Sequence, residues 1–531
     1  MCNGRAANAA FLSLFSNNVR TIGRELSDCT IYFIICVAVD TLRVSNIHTH
    51  MFLPKIIQGG MGAGVSDWRL ANSVSSVGQL GVVSGTALDS VLIRRLQHGD
   101  VGGHMRRGLA AFPVQAVAER ILARYFKSEE EQDDKPSRLT AGFRIDPSAN
   151  VVDLTIAANF VEVFLAKEGH EGHVGVNFLE KIQMPNLTSI FGAMLAGVDN
   201  VLMGAGIPRT IPGILDSLAE WKPVEMRINV EDADKEDAFY SRFDPLEWIR
   251  SHLPDIELPK LKRPDFFPII SSNVLALTLA KKSTGKVNGF IVERHVAGGH
   301  NAPPRGGMNL DENNEPIYGA KDEANLAQLS KLGIPFWLAG GGSSVTGLKD
   351  ALASGAAGIQ VGTAFAYSNE SGFDPAIKKR VLSKVKTGEA KIFTDARGSP
   401  TGFPFKVVNL EGTIYEEEVY ESRKRICDLC YLRHPYKKAD ATIGYRCPSE
   451  PVKDYIKKGG KEEDTVGRKC LCNGLMAAIG MPQKYKGGGS EPAIVTSGDD
   501  VTKLGRFVNW DTVSYSSRDV IDDLLSQIAP A

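Results

Sequence analysis

The sequence predicts an α/β protein, a (β/α)8 TIM barrel with insertions over the barrel mouth and a cysteine-containing carboxyl-terminal appendage. From residue 54 onward, short apolar segments alternate with amphipathic helical patterns, which is the order of parallel β/α units. Eight apolar segments occur in this way, enough to close a barrel. An open, doubly wound sheet would also satisfy the alternation, but glycine motifs at several predicted strand ends favour the barrel.

The eight predicted strands are separated by Gly or Ser turns and by helical patterns. They span residues 55–58, 80–84, 174–178, 200–203, 267–271, 289–292, 335–339 and 358–361. Helices are predicted between them, among others over residues 66–76, 273–282, 325–332 and 346–354. Each of these helical patterns opens with a Ser, Asn or Thr that can cap a helix.

The chain divides into three predicted parts. Residues 1–50 form an amino-terminal extension that we expect to be disordered, residues 51–405 form the barrel, and residues 406–531 form the appendage. Insertions at 100–170 and 222–266 interrupt the β/α rhythm, and we expect both to cover the barrel mouth. The apolar run at 29–39 is far shorter than the roughly 20 residues of a membrane helix, which predicts no membrane span there.

Composition and charge are those of a soluble globular protein with no overall attraction for a charged polymer. Lys and Arg number 61 against 62 Asp and Glu, a net charge of -1, so no overall field attracts nucleic acid or anionic lipid. The eight cysteines are too sparse for a disulfide scaffold in a chain of 531 residues. This cysteine usage indicates a reducing, cytoplasmic location.

Two glycine turns at neighbouring strand ends predict a phosphate site. The seventh predicted strand runs into Gly340 and Gly341, and the eighth ends at Gly362 and Thr363. Glycine lets the backbone amides approach a ligand closely, and the loops after strands seven and eight of such barrels commonly bind phosphate. A single glycine run would indicate only a tight turn, whereas two in register favour phosphate.

A histidine follows the sixth predicted strand, in the segment FIVERHVAGGHNAPPRG. Gly298 and Gly299 allow close backbone approach, and His300 comes directly after them on the face where barrel active sites lie. Because histidine titrates near neutral pH, His300 is our candidate for the catalytic base. His295 lies nearer the strand and is better interpreted as a structural histidine.

Two weaker motifs follow the first and third predicted strands. The loop QGGMGAGVS holds Gly60, Met61 and Gly62, which could lie against a flat ring. The segment GVNF places Asn177, an amide donor and acceptor, at the end of the third strand.

These motifs, in this order, resemble the nitronate monooxygenase family, formerly called 2-nitropropane dioxygenases, over about residues 54–400. This family is related to flavin-dependent enoyl-acyl-carrier-protein reductases. The resemblance implies bound FMN, with His300 matching the catalytic histidine. It implies cofactor contacts from Gly60, Met61, Gly62, Asn177, Glu293, Gly298, Gly340, Gly341, Gln360, Val361, Gly362 and Thr363. This chain departs from the family by having Glu293, Arg294, His295 and Val296 before AGGH, where Gln and an acidic residue are usual.

The resemblance leads to three functional hypotheses. The first is oxidation of nitronates or nitroalkanes with O2 to a carbonyl compound and nitrite. The second is NAD(P)H-dependent reduction of an enoyl thioester, and the third is a flavin-binding accessory subunit of a fatty-acid or polyketide synthase. All three expect a small-molecule ligand, and they leave homo-oligomer formation open.

The appendage carries CDLC at Cys427 to Cys430, then Cys447, then CLC at Cys470 to Cys472. A CxxC motif followed by further thiols can bind zinc or an iron-sulfur cluster. The spacing fits no standard site, so we interpret these cysteines as reduced structural thiols and predict no metal.

Overall fold

The computed structural model describes residues 52–131 and 135–528. The predicted amino-terminal extension, residues 1–50, lies outside the described residues. Eight parallel strands form a closed barrel in which each strand pairs with its neighbours in chain order. The first strand also pairs with the last, for example Ile57 with Gln360, and this pairing closes the barrel.

All eight predicted strands are confirmed, with ends that shift by no more than two residues. They are β1 Ile56–Gln58, β2 Leu80–Ser84, β3 Val174–Leu179, β4 Asn200–Gly204, β5 Asp265–Ile270, β6 Phe290–Glu293, β7 Phe336–Ala339 and β8 Gly358–Val361. Most residues of these strands are buried because helices cover the outside and side chains fill the inside. The predicted α/β fold, a (β/α)8 TIM barrel, is therefore confirmed.

Large side chains close the amino-terminal end of the barrel interior. Trp337 on β7 is fully buried and stacks on Phe267 of β5, with ring centroids 4.9 Å apart. The indole Nε1 of Trp337 donates a hydrogen bond of 2.7 Å to the carbonyl oxygen of Pro54. The barrel is thus a packed core at this level, and open space is left only toward the carboxyl ends of the strands.

Helices connect the strands on the outside of the barrel. Asp67 caps the first helix and Ser272 caps the helix after β5, each with a side-chain oxygen that accepts a backbone N–H. The helices before β8 are Trp68–Ser75, Leu88–Gln97, His104–Ala110, Gln115–Tyr125, Ala149–Lys167, Asn186–Leu195, Ile211–Ala219, Pro245–His252, Asn273–Lys282, Leu326–Ser330 and Gly347–Ala353. The helices after β8 are Thr363–Ala366, Pro375–Thr387, Glu417–Ser422, Val452–Lys457, Leu471–Ala478 and Ser517–Ser526.

The two insertions lie on the side of the barrel. The first contributes three helices, of which Ala149–Lys167 packs between Trp68–Ser75 and Asn186–Leu195 as a barrel helix. The second forms an antiparallel ribbon, Val224–Ile228 with Phe239–Phe243, that packs on Asn186–Leu195. None of their described residues lines the central cavity. Their apolar faces pack on barrel helices, and Phe143 and Glu231 contact the appendage at Arg433 and Pro435.

The helix Ala149–Lys167 has the length and mean hydropathy, 1.5, of a membrane-spanning helix. Of the 18 most apolar consecutive residues in this helix, 78% are buried inside the protein. It packs against helices on both sides and against the barrel strands β2 and β3. Its apolar character is therefore explained by its place in the core of the protein.

The appendage is joined to the barrel along its whole length. The strand Phe405–Val408 pairs with Ile392–Asp395, so the predicted boundary at residues 405 and 406 falls inside a ribbon. A second ribbon joins His434–Lys437 to Ile443–Arg446. The last helix, Ser517–Ser526, packs against the first barrel helix and forms with it part of the barrel wall.

Candidate functional site

A cavity of about 440 Å³ opens at the carboxyl-terminal ends of the strands. Loops that follow all eight strands contribute to its wall, which is the usual location of the active site in this fold. The structure brings together at this wall every site residue that the sequence predicted. They are His300, Gly60, Met61, Gly62, Asn177, Glu293, Gly298, Gly340, Gly341, Gln360, Val361, Gly362 and Thr363.

The loop after β1 packs directly against the end of β3. A Cβ atom on Gly60 would lie 2.4 Å from the Cβ of Asn177, a distance at which two carbon atoms clash. Any larger residue at Gly60 would therefore push the loop away from β3. The amide of Met61 donates to the hydroxyl oxygen of Ser66 at 2.8 Å, which fixes the curvature of this loop.

The loop after β7 uses glycines in the left-handed backbone region. Gly340 and Gly341 have φ values of +90° and +75°, which residues with a Cβ rarely adopt. Behind this loop, the Nε of Arg294 donates to the carbonyl oxygen of Gly340 at 3.0 Å. The loop is thus held in place by a cation, which also makes its surroundings more favourable for an anion.

The appendage supplies a wall of the cavity that no sequence motif indicated. Residues 496–500 run across the glycine loops, where Thr496 Oγ1 accepts from the Gly299 amide at 3.0 Å. The Gly498 amide donates to Thr363 Oγ1 at 2.9 Å, and Asp500 accepts from the Ser343 amide at 3.0 Å. Only the short TSG run of this segment resembles a turn, and nothing in the sequence connects it with loops more than a hundred residues away.

His300 is held by residues that lie just before the appendage. Its Nε2 lies 2.7 Å from Ser399 Oγ, and its ring packs edge-on against Phe405 with centroids 5.0 Å apart. Burial lowers the pKa of His300 to about 4, because the protonated ring loses solvation among these groups. His300 is therefore a neutral imidazole at physiological pH, with one ring nitrogen already engaged.

Glu293 is a second titratable group at this site whose pKa is strongly changed. It ends β6, lines the cavity, and its carboxylate has no hydrogen-bond or ion-pair partner among the described residues. Burial raises the pKa of Glu293 to about 7, because no charge or donor compensates the lost hydration of the carboxylate. The group therefore changes its protonation state near neutral pH.

His295, the second histidine of this segment, lies outside the central cavity. Its ring stacks on Tyr318 with centroids 4.6 Å apart, and its Nδ1 is 3.4 Å from Glu323 Oε1. These contacts agree with the structural role that the sequence suggested.

Several polar atoms at the cavity wall are buried without a hydrogen-bond partner, among them two amide oxygens. Gln360 Oε1 at the end of β8 and Asn301 Oδ1 beside His300 accept no hydrogen bond in the structure. Buried polar atoms are rarely left unsatisfied, so such atoms at a cavity indicate a polar ligand. The cavity therefore has the features of a binding site for a molecule with both apolar and polar parts.

Comparison with known proteins agrees with this site. Residues 260–401 match the family model described as nitronate monooxygenase. This match confirms the resemblance. The matched range contains β5 to β8 and the motifs around His300, Gly340 and Gly362, and it supports an enzyme of the oxidoreductase class. A comparison with curated proteins found no match.

Several solved structures are similar to the chain at low identity. FabK from Thermotoga maritima is 14% identical, with 90% of this chain and 93% of that chain covered and a TM-score of 0.43. Nitroalkane oxidase from Streptomyces ansochromogenes is 13% identical, with 90% and 96% covered and a TM-score of 0.39. The enoyl reductase domain of MlnA from Bacillus amyloliquefaciens is 11% identical, with 90% and 93% covered and a TM-score of 0.44. The barrel assignment rests on the strand pairing of this chain itself.

Proposed function

We propose that the protein is an FMN-dependent oxidoreductase that oxidises nitronates or nitroalkanes with O2 to a carbonyl compound and nitrite. The observation that carries this proposal is the position of His300, which faces the same cavity as the glycine loops after β1, β7 and β8. This segment also lies inside the range that matches the nitronate monooxygenase family model.

The residues at the cavity fit a flavin phosphate and ring. Gly340, Gly341 and Gly362 would offer backbone amides to the phosphate, and the guanidinium of Arg294 lies directly behind them. The Ser343 amide already donates a hydrogen bond to the carboxylate of Asp500. The phosphate would therefore take its hydrogen bonds from the glycine amides and not from Ser343.

The opposite side of the cavity offers groups for a ring system. Met61 supplies an apolar, polarisable contact, while Asn177 and Gln360 supply amide groups at the ends of β3 and β8. The unpartnered Oε1 of Gln360 is suited to accept a hydrogen bond from a ring N–H. When bound, the flavin would supply the electron-accepting chemistry that amino-acid side chains lack.

The proposed role of His300 is to accept a proton from a neutral nitroalkane. Burial keeps the ring unprotonated at neutral pH but also makes it a weaker base, so proton transfer to it depends on close contact between the substrate and Nδ1, the ring nitrogen that Ser399 does not engage. The contact with Ser399 and the packing on Phe405 hold the ring in one orientation, which a base needs in order to act on a bound carbon acid. A substrate supplied as the nitronate has already lost this proton.

The test compares the two substrate forms in a His300→Asn variant. We expect loss of about 10²- to 10⁴-fold in activity on the neutral nitroalkane, the usual contribution of a general base, and little loss on the pre-formed nitronate. His295→Asn is the matched control, because His295 lies outside the cavity. Equal losses on both substrates would assign His300 an orienting role instead.

A second measurement separates this proposal from enoyl-thioester reduction. Under anaerobic conditions, we expect a nitronate to bleach the visible flavin spectrum of the purified protein. Bleaching by NADH or NADPH, with reoxidation by an enoyl thioester and no reaction with a nitronate, would instead establish the reductase. Flavin binding without either reaction would support the accessory-subunit hypothesis. The cytoplasmic location stays a prediction, and homo-oligomer formation stays open.

A further inference from the structure

A second group of reactive side chains lies next to the central cavity. Five cysteines of the appendage are free thiols. Four of them, Cys427, Cys447, Cys470 and Cys472, line one small cavity behind the wall of the central cavity. Among residues 52–131 and 135–528, no group of three or more His, Cys, Asp or Glu is arranged to hold a metal ion.

Two of these cysteines form a directly interacting pair. The amide of Cys430 donates to the sulfur of Cys427 at 3.3 Å, and the two thiols are near enough for each to shift the pKa of the other. Both side chains are half-buried, whereas Cys447 and Cys470 are buried. The pair is therefore the part of the cluster that combines mutual contact with access for a small reagent.

The surroundings make the two sulfurs chemically different. The interaction with the Cys427 thiol, followed by the positive charge of Arg433, lowers the pKa of Cys430 against the opposing effect of burial. Lys458 also lowers this pKa, while the nearby carboxylate of Asp428 raises it. The same interaction raises the pKa of Cys427, which therefore stays a protonated thiol. One nucleophilic thiolate beside one thiol is the arrangement that thiol–disulfide exchange requires.

The backbone of the turn supports this arrangement. Cys430 has φ of +58°, a conformation that residues with a Cβ seldom adopt without a structural reason. Asp428, between the two cysteines, accepts a hydrogen bond of 2.7 Å from Asn473 Nδ2, which ties the turn to the helix Leu471–Ala478. The next residues, Tyr431 and Leu432, line both the thiol cavity and the central cavity.

We propose that Cys427 and Cys430 form a redox-active dithiol that exchanges with low-molecular-weight disulfides. The thiolate of Cys430 attacks one sulfur of the disulfide RSSR, forms a mixed disulfide and releases RS⁻. The sulfur of Cys427, after losing its proton, attacks Cys430 and releases the second RS⁻. The protein loses two protons and two electrons, and RSSR is reduced to two RSH. This proposal is independent of the flavin chemistry.

The tryptic peptides of this chain separate the thiols in a convenient way. Residues 426–433, ICDLCYLR, contain Cys427 and Cys430 and no other cysteine. Residues 470–484, CLCNGLMAAIGMPQK, contain Cys470 and Cys472 and serve as an internal control. The full-length protein is equilibrated with mixtures of reduced and oxidised glutathione, quenched with acid, alkylated with iodoacetamide and digested without reduction.

We expect the peptide 426–433 to change from doubly alkylated to a form two hydrogens lighter than the reduced peptide as oxidised glutathione increases. The peptide 470–484 is expected to stay doubly alkylated over the same range. Double alkylation of 426–433 at every ratio, or oxidation of 470–484 first, would overturn the proposal. Tightly bound zinc or iron that blocks alkylation of 426–433 in the protein as purified would overturn it as well.

Single variants test the difference between the two sulfurs. Cys427→Ser is expected to accumulate glutathione on Cys430, because no second thiol releases it. Cys430→Ser is expected to accumulate much less on Cys427, and Cys447→Ser is the matched control that leaves the pair intact. Equal accumulation in the first two variants would contradict the assigned roles. The wild-type peptide result remains decisive if a variant fails to fold.

Discussion

Replacing Glu293 by Gln tests how much the ionised carboxylate of this residue destabilises the folded protein at the barrel mouth. Burial raises the pKa of this carboxyl from 4.5 to about 7, with no partner to compensate. Between these two pH values the folded protein keeps the proton while the unfolded chain releases it. The free energy of unfolding of the wild type therefore falls as pH rises through this window. The Glu293→Gln side chain does not titrate, so the variant does not lose this stability.

The size of the effect follows from the shift. A difference of about 2.5 pKa units corresponds to about 3 kcal/mol at full burial. Glu293 is only half-buried and faces a cavity that admits water, so we expect about 2 kcal/mol. For a chain of this length, with an unfolding entropy of about 1 kcal/mol per degree, this corresponds to a difference in Tm of about 2 °C.

The assay is thermal unfolding of wild type and variant at pH 5 and pH 8, at matched flavin content read from the visible absorbance. We expect the Tm of Glu293→Gln relative to wild type to be higher at pH 8 than at pH 5. Glu312→Gln, on an exposed turn, is the control for removing one carboxylate. A relative Tm that is unchanged or lower at pH 8 would show that the carboxylate is solvated or paired, which would refute the reasoning.

Four further predictions concern the flavin, the glycine loops at the cavity and the amino-terminal end of the chain. Purified protein should release FMN and not FAD on denaturation. Gly341→Val should lose this flavin. Gly333→Val should retain it, because Gly333 has the same left-handed backbone conformation but lies away from the cavity. Equal flavin content in the two variants would contradict a cofactor role for the loop after β7. Gly298→Ala should lower Tm and cost about 1 to 3 kcal/mol of stability, because its Cβ would lie 2.7 Å from the Gly498 amide nitrogen. An unchanged Tm would mean that residues 496–500 can move away without cost. A chain that starts at Met51 should keep fold and flavin, since β1 begins at Ile56, and insoluble protein would show that residues 1–50 pack on the core.

The barrel strands could be predicted because their signal is local. A parallel strand buried on both faces is a short apolar run between turns, and the runs ending at Gln58, Ser84 and Val361 show this pattern in the sequence. The site residues could be predicted for a related reason. Active-site loops follow strand ends, so a glycine or a histidine just after a strand already has its place in the fold.

The fate of the insertions could not be predicted in the same way. Residues 100–170 and 222–266 interrupt the alternation of strands and helices. Their sequence does not indicate which surface of the barrel their apolar faces contact. That choice depends on which barrel helices are left uncovered, and here Asn186–Leu195 receives both the helix Ala149–Lys167 and the ribbon that begins at Val224.

The sequence by itself determined the barrel, the end of the barrel at which the cavity lies, and the residues that line it after the first, third, sixth, seventh and eighth strands. These depend on periodicity and on neighbours along the chain. Only the tertiary structure decided that residues 496–500 complete the wall, that Ser399 holds His300, and that Glu293 titrates near neutral pH. Hydrogen bonds between distant segments and the loss of hydration on burial arise only once the chain has folded, so no local pattern encodes them.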